Sequence, residues 1–320
     1  MAQWVRLASL SIRYPASGED YVARALASAC AAIDLASKDK PDLILLPELY
    51  TTAGWSGKPW GAQAETVPGR ITDFFAKKAK RYGTYIFCPL LQKEGPRFYN
   101  SLVLLDRKGE IAGVYHKMHP VICEIRQGIV PGTRPGVFDT DFGRIGCAIC
   151  YDLNFPDVAE GLARSKVRLV SFSSMYRGGL QLQIWAFTYG FYILSSVPSE
   201  KGVLVDPLGR VHARYMDNQN SILSMKVNLD SLLLHLDYNE FKLARLKEKY
   251  KDLVEIDASE PERRFLLISH HPTKSAWDFK REFHLETQHD FFRRAERFRK
   301  RGLSGEYVRG RISRATKSFK

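Results

Sequence analysis

A chain of 320 residues, with 45% hydrophobic and 26% charged residues, has enough apolar side chains for a large folded core, which excludes a disordered protein. Its formal net charge is +13, and residues 261–320 carry +9 of it. The rest of the chain is therefore close to neutral, and its composition does not call for a polyanionic partner.

The cysteine count and the N-terminal segment both favour a cytoplasmic protein. Five cysteines is an odd and low number for this length, which argues against a disulfide framework and predicts reduced thiols. The segment from Met1 to Ser11 is interrupted by Arg6 and lacks the apolar core of a secretory signal. No uncharged apolar run is long enough to span a bilayer, so we expect no membrane segment.

The first 230 residues alternate between helical patterns and short apolar runs. Between Glu19 and Ser37 the apolar residues recur on one helical face, and Asp42 to Pro47 is a continuous apolar run typical of a buried strand. The same patterns predict, in chain order, a helix over 70–81, strands over 85–88, 101–105, 111–115 and 144–150, a helix from 155, a strand over 169–172, a helix over 181–189, and strands over 193–197, 202–205 and 221–227. This alternation predicts an α/β domain with buried strands.

The pattern changes near Leu229. A charged helix is predicted over 238–251, and after Asp257 the chain is expected to be irregular and basic, apart from a strand over 264–269 and a basic helix over 289–301. We therefore predict one domain over residues 1–235 and a basic C-terminal extension over residues 236–320.

The basic extension has two interpretations. Phe291, Phe292 and Phe298 are interleaved with arginine and lysine, a composition that binds nucleic acid through salt-dependent contacts. The other interpretation is a solvated helix whose aromatic side chains pack on the body or on a partner subunit. We favour the second, so nucleic acid is not the partner we expect.

Three reactive side chains follow predicted strands directly: Glu48, Lys117 and Cys150. In open α/β sheets, binding sites gather outside the carboxyl ends of the strands, where loops bring distant residues together. We therefore expect these three side chains to meet in one cavity.

The chemistry of this trio is that of C–N bond hydrolysis. Cys150 can supply a sulfur nucleophile, and Glu48 can take the thiol proton and pass one to the leaving amine. Lys117 can stabilise an oxyanion, and its charge helps keep Glu48 ionised. Water then hydrolyses the thioester, so no metal or organic cofactor is required.

Other interpretations of the same residues exist. Cys150 alone could be a buried structural cysteine, and Cys147 with Cys150 forms a C-x-x-C that could be a redox pair or half of a zinc site. Residues three apart in a strand point to opposite faces, and no second cysteine pair follows. His116 and His119 flank Lys117, but such residues more often orient a loop, and we assign them no role.

Three segments around the trio resemble the motifs of the nitrilase, or carbon–nitrogen hydrolase, superfamily, which has a Glu–Lys–Cys triad in this chain order. The matching segments are L-P-E-L at 46–49, Y-H-K-M-H-P at 115–120 and G-C-A-I-C-Y-D-L-N-F-P-D at 146–157, with weaker matches at 68–69 and 99–101. The resemblance covers the chain from about Val5 to Asp230.

The resemblance implies a four-layer α-β-β-α sandwich with a C-terminal extension, and members that assemble as homodimers or larger homo-oligomers. It places Glu124 at the position of a second family glutamate that supports the lysine or the substrate. It also implies that the backbone N–H of Tyr151 joins Lys117 in the oxyanion site.

The resemblance further indicates an amidase-like branch, because Tyr151 and Asp152 stand where true nitrilases usually have Trp-Glu. Asn154 stands where ω-amidases and related enzymes generally have arginine, which counts against a dicarboxylate monoamide substrate. The segment from Trp185 to Ser195 also departs from the family pattern. We predict a hydrolase of small amides or N-carbamoyl compounds. The alternatives are nitrile hydrolysis by the same triad and a catalytically silent protein that keeps the fold.

Substrate-binding residues are predicted from strand ends. Tyr151, Ser174 and Tyr176 follow predicted strands, so we expect them at the pocket. Tyr50 and Trp185 are also pocket candidates, although aromatic side chains are more often packing residues.

Overall fold

The structure, a computed structural model, describes residues 3–54, 60–198, 200–213, 215–217 and 222–306. The chain divides into an N-terminal unit, Gln3–Leu229, and a C-terminal unit that begins at Asp230. No helix in the described ranges is both long and apolar enough to cross a lipid bilayer.

The N-terminal unit is built from strands and helices that alternate along most of its length. Its strands are β1 (Trp4–Leu10), β2 (Leu43–Leu45), β3 (Tyr85–Glu94), β4 (Arg97–Leu105), β5 (Ile111–His116), β6 (Gly136–Thr140), β7 (Gly143–Ile149), β8 (Leu169–Ser173), β9 (Tyr192–Ser196), β10 (Leu204–Val205), β11 (Val211–His212), β12 (Tyr215–Asp217) and β13 (Ile222–Asn228). Its α-helices are α1 (Tyr21–Ala36), α2 (Arg70–Tyr82), α3 (Ile122–Arg126), α4 (Pro156–Arg164) and α5 (Leu180–Tyr189).

These strands form two sheets. One has seven strands in the order β12-β13-β1-β2-β3-β4-β5, and the other has six in the order β11-β10-β9-β8-β7-β6. The central strands are parallel, since β2 pairs with β1 and β3 and β8 pairs with β7 and β9. The carboxyl ends of β2, β7 and β8 carry loops that reach the site described below.

Each sheet has helices on one face. Ile33 of α1 and Phe75 of α2 are buried in one apolar core with strand residues of the seven-stranded sheet. Leu162 of α4 and Ala186 of α5 are buried in a second core with residues of the six-stranded sheet. The other faces of the sheets contact each other, β1 and β2 lying against β9. This arrangement is the predicted four-layer α-β-β-α sandwich.

The C-terminal unit has a core of its own. Its strands are β14 (Ser231–His235), β15 (Val254–Ser259) and β16 (Arg264–Ser269), and its helices are α6 (Glu240–Tyr250), α7 (Ala276–Glu282) and α8 (Gln288–Leu303). The strands form an antiparallel sheet in the order β14-β16-β15. Leu234, Leu246, Phe265 and Phe279 are completely buried within it.

Two expectations for this region differ from the structure. The predicted boundary after residue 235 falls at the end of β14, but β14 pairs with β16 and therefore belongs to the C-terminal unit. The chain after Asp257 is also not irregular, because β15 continues to Ser259 and α7 follows β16. Exposed charged residues on β15 and α7 interrupt the regular spacing of apolar residues that predicts a strand or a helix.

Candidate active site

The carboxylate of Glu48 is buried just beyond β2. Its Oε1 accepts hydrogen bonds from Lys117 Nζ and Asn100 Nδ2, each at 2.7 Å. Its Oε2 is also buried and has no nitrogen or oxygen donor among the described residues. One carboxylate oxygen is therefore held by two donors, and the other is left to receive a proton.

Lys117 lies directly after β5, with its ammonium between two carboxylates. Nζ donates to Glu48 Oε1 at 2.7 Å and to Glu124 Oε2 at 2.8 Å. Burial alone lowers the pKa of Lys117, but the two negative charges outweigh it, and the pKa lies above its ordinary value. An ammonium has three N–H donors, so one remains for an oxygen that gains negative charge.

Glu124, in the first turn of α3, is held as firmly as Glu48. Its Oε2 also accepts the backbone N–H of Val121 at 2.7 Å, and its Oε1 accepts Asn100 Nδ2 at 2.7 Å. Glu124, the predicted second glutamate, therefore contacts Lys117 and is buried away from solvent.

Cys150 lies directly after β7 and begins a short 3₁₀ helix, Cys150–Asn154. Its backbone has a φ of 48°, an unusual value for a residue with a side chain, and such strain persists where surrounding structure enforces it. Burial, and next the charge of Glu48, raise the pKa of the thiol to about 12, although Lys117 and the backbone N–H of Met175 act in the opposite direction. The resting group is therefore a thiol, and a base has to remove its proton.

Asp152 connects the cysteine turn to the lysine loop. Its buried carboxylate accepts the backbone N–H groups of Ile149 and His119 and the hydroxyl of Tyr115, each at 2.8 Å. Burial raises the pKa of Asp152 to about 6, even though all three hydrogen bonds favour the ionised form. At neutral pH the group is ionised and can accept all three.

Of the predicted substrate-binding residues, Tyr151 and Ser174 have different surroundings. Tyr151 is 38% exposed, and its ring meets Phe155 edge-on. Its backbone N–H is in the first turn of the 3₁₀ helix, where N–H groups have no partner within the helix. Ser174 is buried, and its Oγ donates to the carbonyl of Tyr176 at 2.7 Å and accepts that residue's N–H at 3.0 Å. Ser174 therefore shapes the turn that presents Tyr176.

Tyr176 belongs to a chain of uncharged polar groups near the sulfur. Its hydroxyl donates to Gln181 Oε1 at 3.3 Å, and Gln181 Nε2 donates to Asn154 Oδ1 at 2.8 Å. Burial raises the pKa of Tyr176 to about 12, and the negative charge of Cys150 in its thiolate form adds to this effect. These groups can donate and accept hydrogen bonds without carrying charge.

The other aromatic candidates pack in the cores. Tyr50 is buried with α1, and its hydroxyl donates to the carbonyl of Arg13 at 3.0 Å. Trp185 is buried with α4 and the six-stranded sheet. Neither is needed to build the site.

The two histidines beside Lys117 orient their loop. His116 stacks on Tyr99 with ring centroids 3.9 Å apart, and His119 stacks on Phe155 at 3.8 Å and pairs with Asp157. Both rings are therefore held by stacking, and neither is given a chemical role.

All five cysteines are free thiols, as the sequence predicts. Cys147 is completely buried in β7, and burial raises its pKa well above the ordinary value. It is a packing residue, so the C-x-x-C spacing has no redox partner role in this structure.

Sequence reasoning missed three neighbours of the triad. Asn100 on β4 bonds to both glutamates, and its only signal was the weak motif match at 99–101. Met175 presents its backbone N–H to Cys150, and Tyr14 donates its hydroxyl to the carbonyl of Glu48 at 2.6 Å. Neither of these contacts has a sequence signature. The first is donated by the backbone N–H of Met175, and the second is accepted by the backbone carbonyl of Glu48.

The sequence of the N-terminal unit matches the family model of carbon–nitrogen hydrolases over residues 6–232. The chain belongs to the carbon–nitrogen hydrolase family. As a carbon–nitrogen hydrolase of the amidase-like branch, it is an enzyme that hydrolyses amide C–N bonds. A curated relative, omega-amidase NIT2 of Bos taurus, is 23% identical over 258 residues, which are 73% of this chain and 92% of the relative.

Solved structures show the same fold. Nit3 of Saccharomyces cerevisiae, a member of branch 10 of the nitrilase superfamily, has a TM-score of 0.60 at 19% identity and covers 71% of this chain and 90% of its own. An amidase from Nesterenkonia has a TM-score of 0.60 at 21% identity, covering 77% and 97%. The C-terminal unit lies almost entirely beyond the family match.

Proposed function

We propose that this carbon–nitrogen hydrolase cleaves a non-peptide C–N bond of a small amide or N-carbamoyl compound through a thioester on Cys150. The observation that carries the proposal is the buried pair of Glu48 and Lys117 at 2.7 Å, with a bare carboxylate oxygen beside a protonated thiol. A base, an oxyanion donor and a nucleophile are the three parts that acyl transfer requires.

In the first half-reaction, the thiol proton of Cys150 moves to Glu48 while the sulfur attacks the carbonyl carbon. A C–S bond forms, and the carbonyl oxygen becomes an oxyanion near the free N–H donor of Lys117 and the backbone N–H of Tyr151. The C–N bond then breaks as Glu48 returns the proton to the leaving nitrogen, which departs as ammonia or an amine.

In the second half-reaction, water attacks the thioester carbon. Glu48 takes a proton from that water, the C–S bond breaks, and the sulfur recovers the proton. The products are a carboxylic acid, or a carbamic acid in the case of a carbamoyl substrate, and the enzyme returns to its resting protonation.

The surroundings of Cys150 favour an uncharged substrate end. The nearby side chains of Tyr176, Gln181 and Asn154 are neutral and already share hydrogen bonds. The Nesterenkonia amidase provides a chemical parallel, since a variant of that protein carries the acetamide moiety of fluoroacetamide on its active-site cysteine. Small neutral amides are therefore the first substrates to test.

The experiment is a screen for ammonia release from small amides, N-carbamoyl compounds, monoamides of dicarboxylic acids and nitriles. We expect release from a neutral amide or carbamoyl compound, its loss in Cys150→Ala, and normal activity in Cys123→Ala, which removes an exposed thiol. Release from nitriles alone contradicts the amide assignment. No release from any compound contradicts the proposed function and favours a silent protein.

A further inference from the structure

The buried amide of Asn100 joins the two carboxylates that surround Lys117. Its Nδ2 donates to Glu48 Oε1 and to Glu124 Oε1, each at 2.7 Å, and the residue is 1% exposed. An asparagine amide nitrogen has two N–H donors, so carboxylates take both. The backbone carbonyl of Asn100 also accepts the backbone N–H of Lys117 at 2.9 Å. One residue of β4 therefore contacts all three charged members of the site.

These hydrogen bonds make the two carboxylate oxygens of Glu48 chemically different. Oε1 receives two hydrogen bonds from Lys117 and Asn100, while Oε2 is buried without a nitrogen or oxygen donor among the described residues. Hydrogen bonds to an ionised carboxylate are strong and favour the ionised form. An oxygen held by two such donors is a poor proton acceptor, so the proton goes to the other.

We propose that Asn100 is a positioning residue that selects Glu48 Oε2 as the oxygen that carries the proton. The proposal rests on the proposed function, in which Glu48 moves a proton from Cys150 Sγ to the leaving nitrogen. Oε1 stays bound to Lys117 and Asn100 throughout, and only Oε2 gains and loses the proton. The last torsion of a glutamate side chain has a broad energy minimum, so without Asn100 the carboxylate turns more freely and its alignment with the thiol is lost.

The test is the pH dependence of kcat/KM in Asn100→Leu, which keeps the side-chain size and removes both donors. We expect kcat/KM to fall about 100-fold, the cost of a small misplacement of a reacting group. The fall lies mainly in kcat, because Asn100 does not touch substrate. The acid limb of the profile moves to higher pH, because the ionised carboxylates lose two hydrogen bonds.

Asn239→Leu is the matched control. Asn239 is equally buried, and its Nδ2 donates to the backbone carbonyls of His235 and Glu286 at 2.7 and 2.8 Å. Its loss lowers the melting temperature without moving the pH profile. If Asn100→Leu does not fold, Asn100→Asp keeps the shape. Its carboxyl group donates to one glutamate when protonated and to neither when ionised, so it shifts the acid limb in the same direction.

Alkylation of Cys150 by iodoacetamide separates this proposal from the proposed function, because it requires no amide substrate. We expect its pH profile to change in the Asn100 variants and not in Asn239→Leu. A parent enzyme that hydrolyses nothing defeats the proposed function, whatever the alkylation shows. If the pH profiles of hydrolysis and of alkylation are the same in the Asn100 variants as in the parent, Asn100 is not a positioning residue. This holds even if the parent is an active amidase.

Discussion

At the scale of single residues, the charge of Glu48 has two opposite consequences for Cys150. In the proposed mechanism Glu48 is the base that removes the thiol proton, and its charge also raises the pKa of that thiol, second only to burial. Lys117 lowers the same pKa. The carboxylate thus suppresses free thiolate in the resting enzyme while making the proton transfer possible.

Replacing Glu48 with glutamine separates these two effects. We expect Glu48→Gln to lose amide hydrolysis by about 10²–10⁴-fold, the usual contribution of a general acid–base group. Its Cys150 should nevertheless be alkylated by iodoacetamide at lower pH than in the parent, because the pKa of the thiol falls from about 12 when the negative charge is removed. The measurement is the alkylation rate against pH, and a profile unchanged or moved to higher pH contradicts the electrostatic account.

The sequence sufficed for some of these residues and not for others. Glu48, Lys117 and Cys150 are single reactive side chains within recognisable motifs, so each was predictable. The role of Asn100 depends on the pairing of β4 with β5, which sets its amide between carboxylates far away in the chain. Local composition does not reveal the pairing register of β4 with β5, so this contact could not be predicted from the sequence alone.

At the scale of elements, the site depends on how the turn after β7 is attached to the loop after β5. The buried carboxylate of Asp152 makes this connection through Ile149 on one side and His119 and Tyr115 on the other. Because Cys150 and Lys117 lie on these two segments, Asp152 helps to fix the distance between them.

We expect Asp152→Asn to damage both stability and activity. An amide presents only one acceptor oxygen, so at least one backbone N–H is left unsatisfied, at a cost of about 1–3 kcal/mol in the free energy of unfolding. Chemical denaturation measures that loss, and kcat/KM of the folded variant measures the misalignment. A variant as stable and as active as the parent shows that Asp152 does not hold the two segments together.

Among the elements, β2 and β7 were predictable because they are short buried runs. β1 was missed because Arg6 interrupts an otherwise apolar run, although most of the strand is buried in the sheet. β14 was missed because it lies where the predicted first domain ends, at residues 231–235. Its pairing with β16 involves a partner that follows a helix and another strand in the chain.

At the scale of the whole molecule, we propose a homo-oligomer in which α5 contributes to the interface. Leu180 and Ile184 are one helical turn apart on α5 and are 67% and 50% exposed. Contiguous exposed apolar surface marks protein–protein interaction sites more often than single exposed apolar side chains do.

The prediction is that Ile184→Asp reduces the oligomer to a smaller species, because a charge in an apolar interface is costly to desolvate. Light scattering after size-exclusion chromatography gives the mass. Phe241→Asp makes the same change at a 77% exposed helical position of the C-terminal unit, and it should leave the mass unaltered. A parent chain that is monomeric at all concentrations removes this proposal.

The central claim is that Cys150 carries the acyl group of the substrate during turnover. The most direct measurement is intact-protein mass spectrometry after acid quenching of the enzyme with a small amide, followed by peptide mapping. We expect an added mass equal to the acyl group, located on Cys150 and absent in Cys150→Ala. Continued ammonia release by Cys150→Ala at the parent rate, or an adduct on another residue, contradicts it.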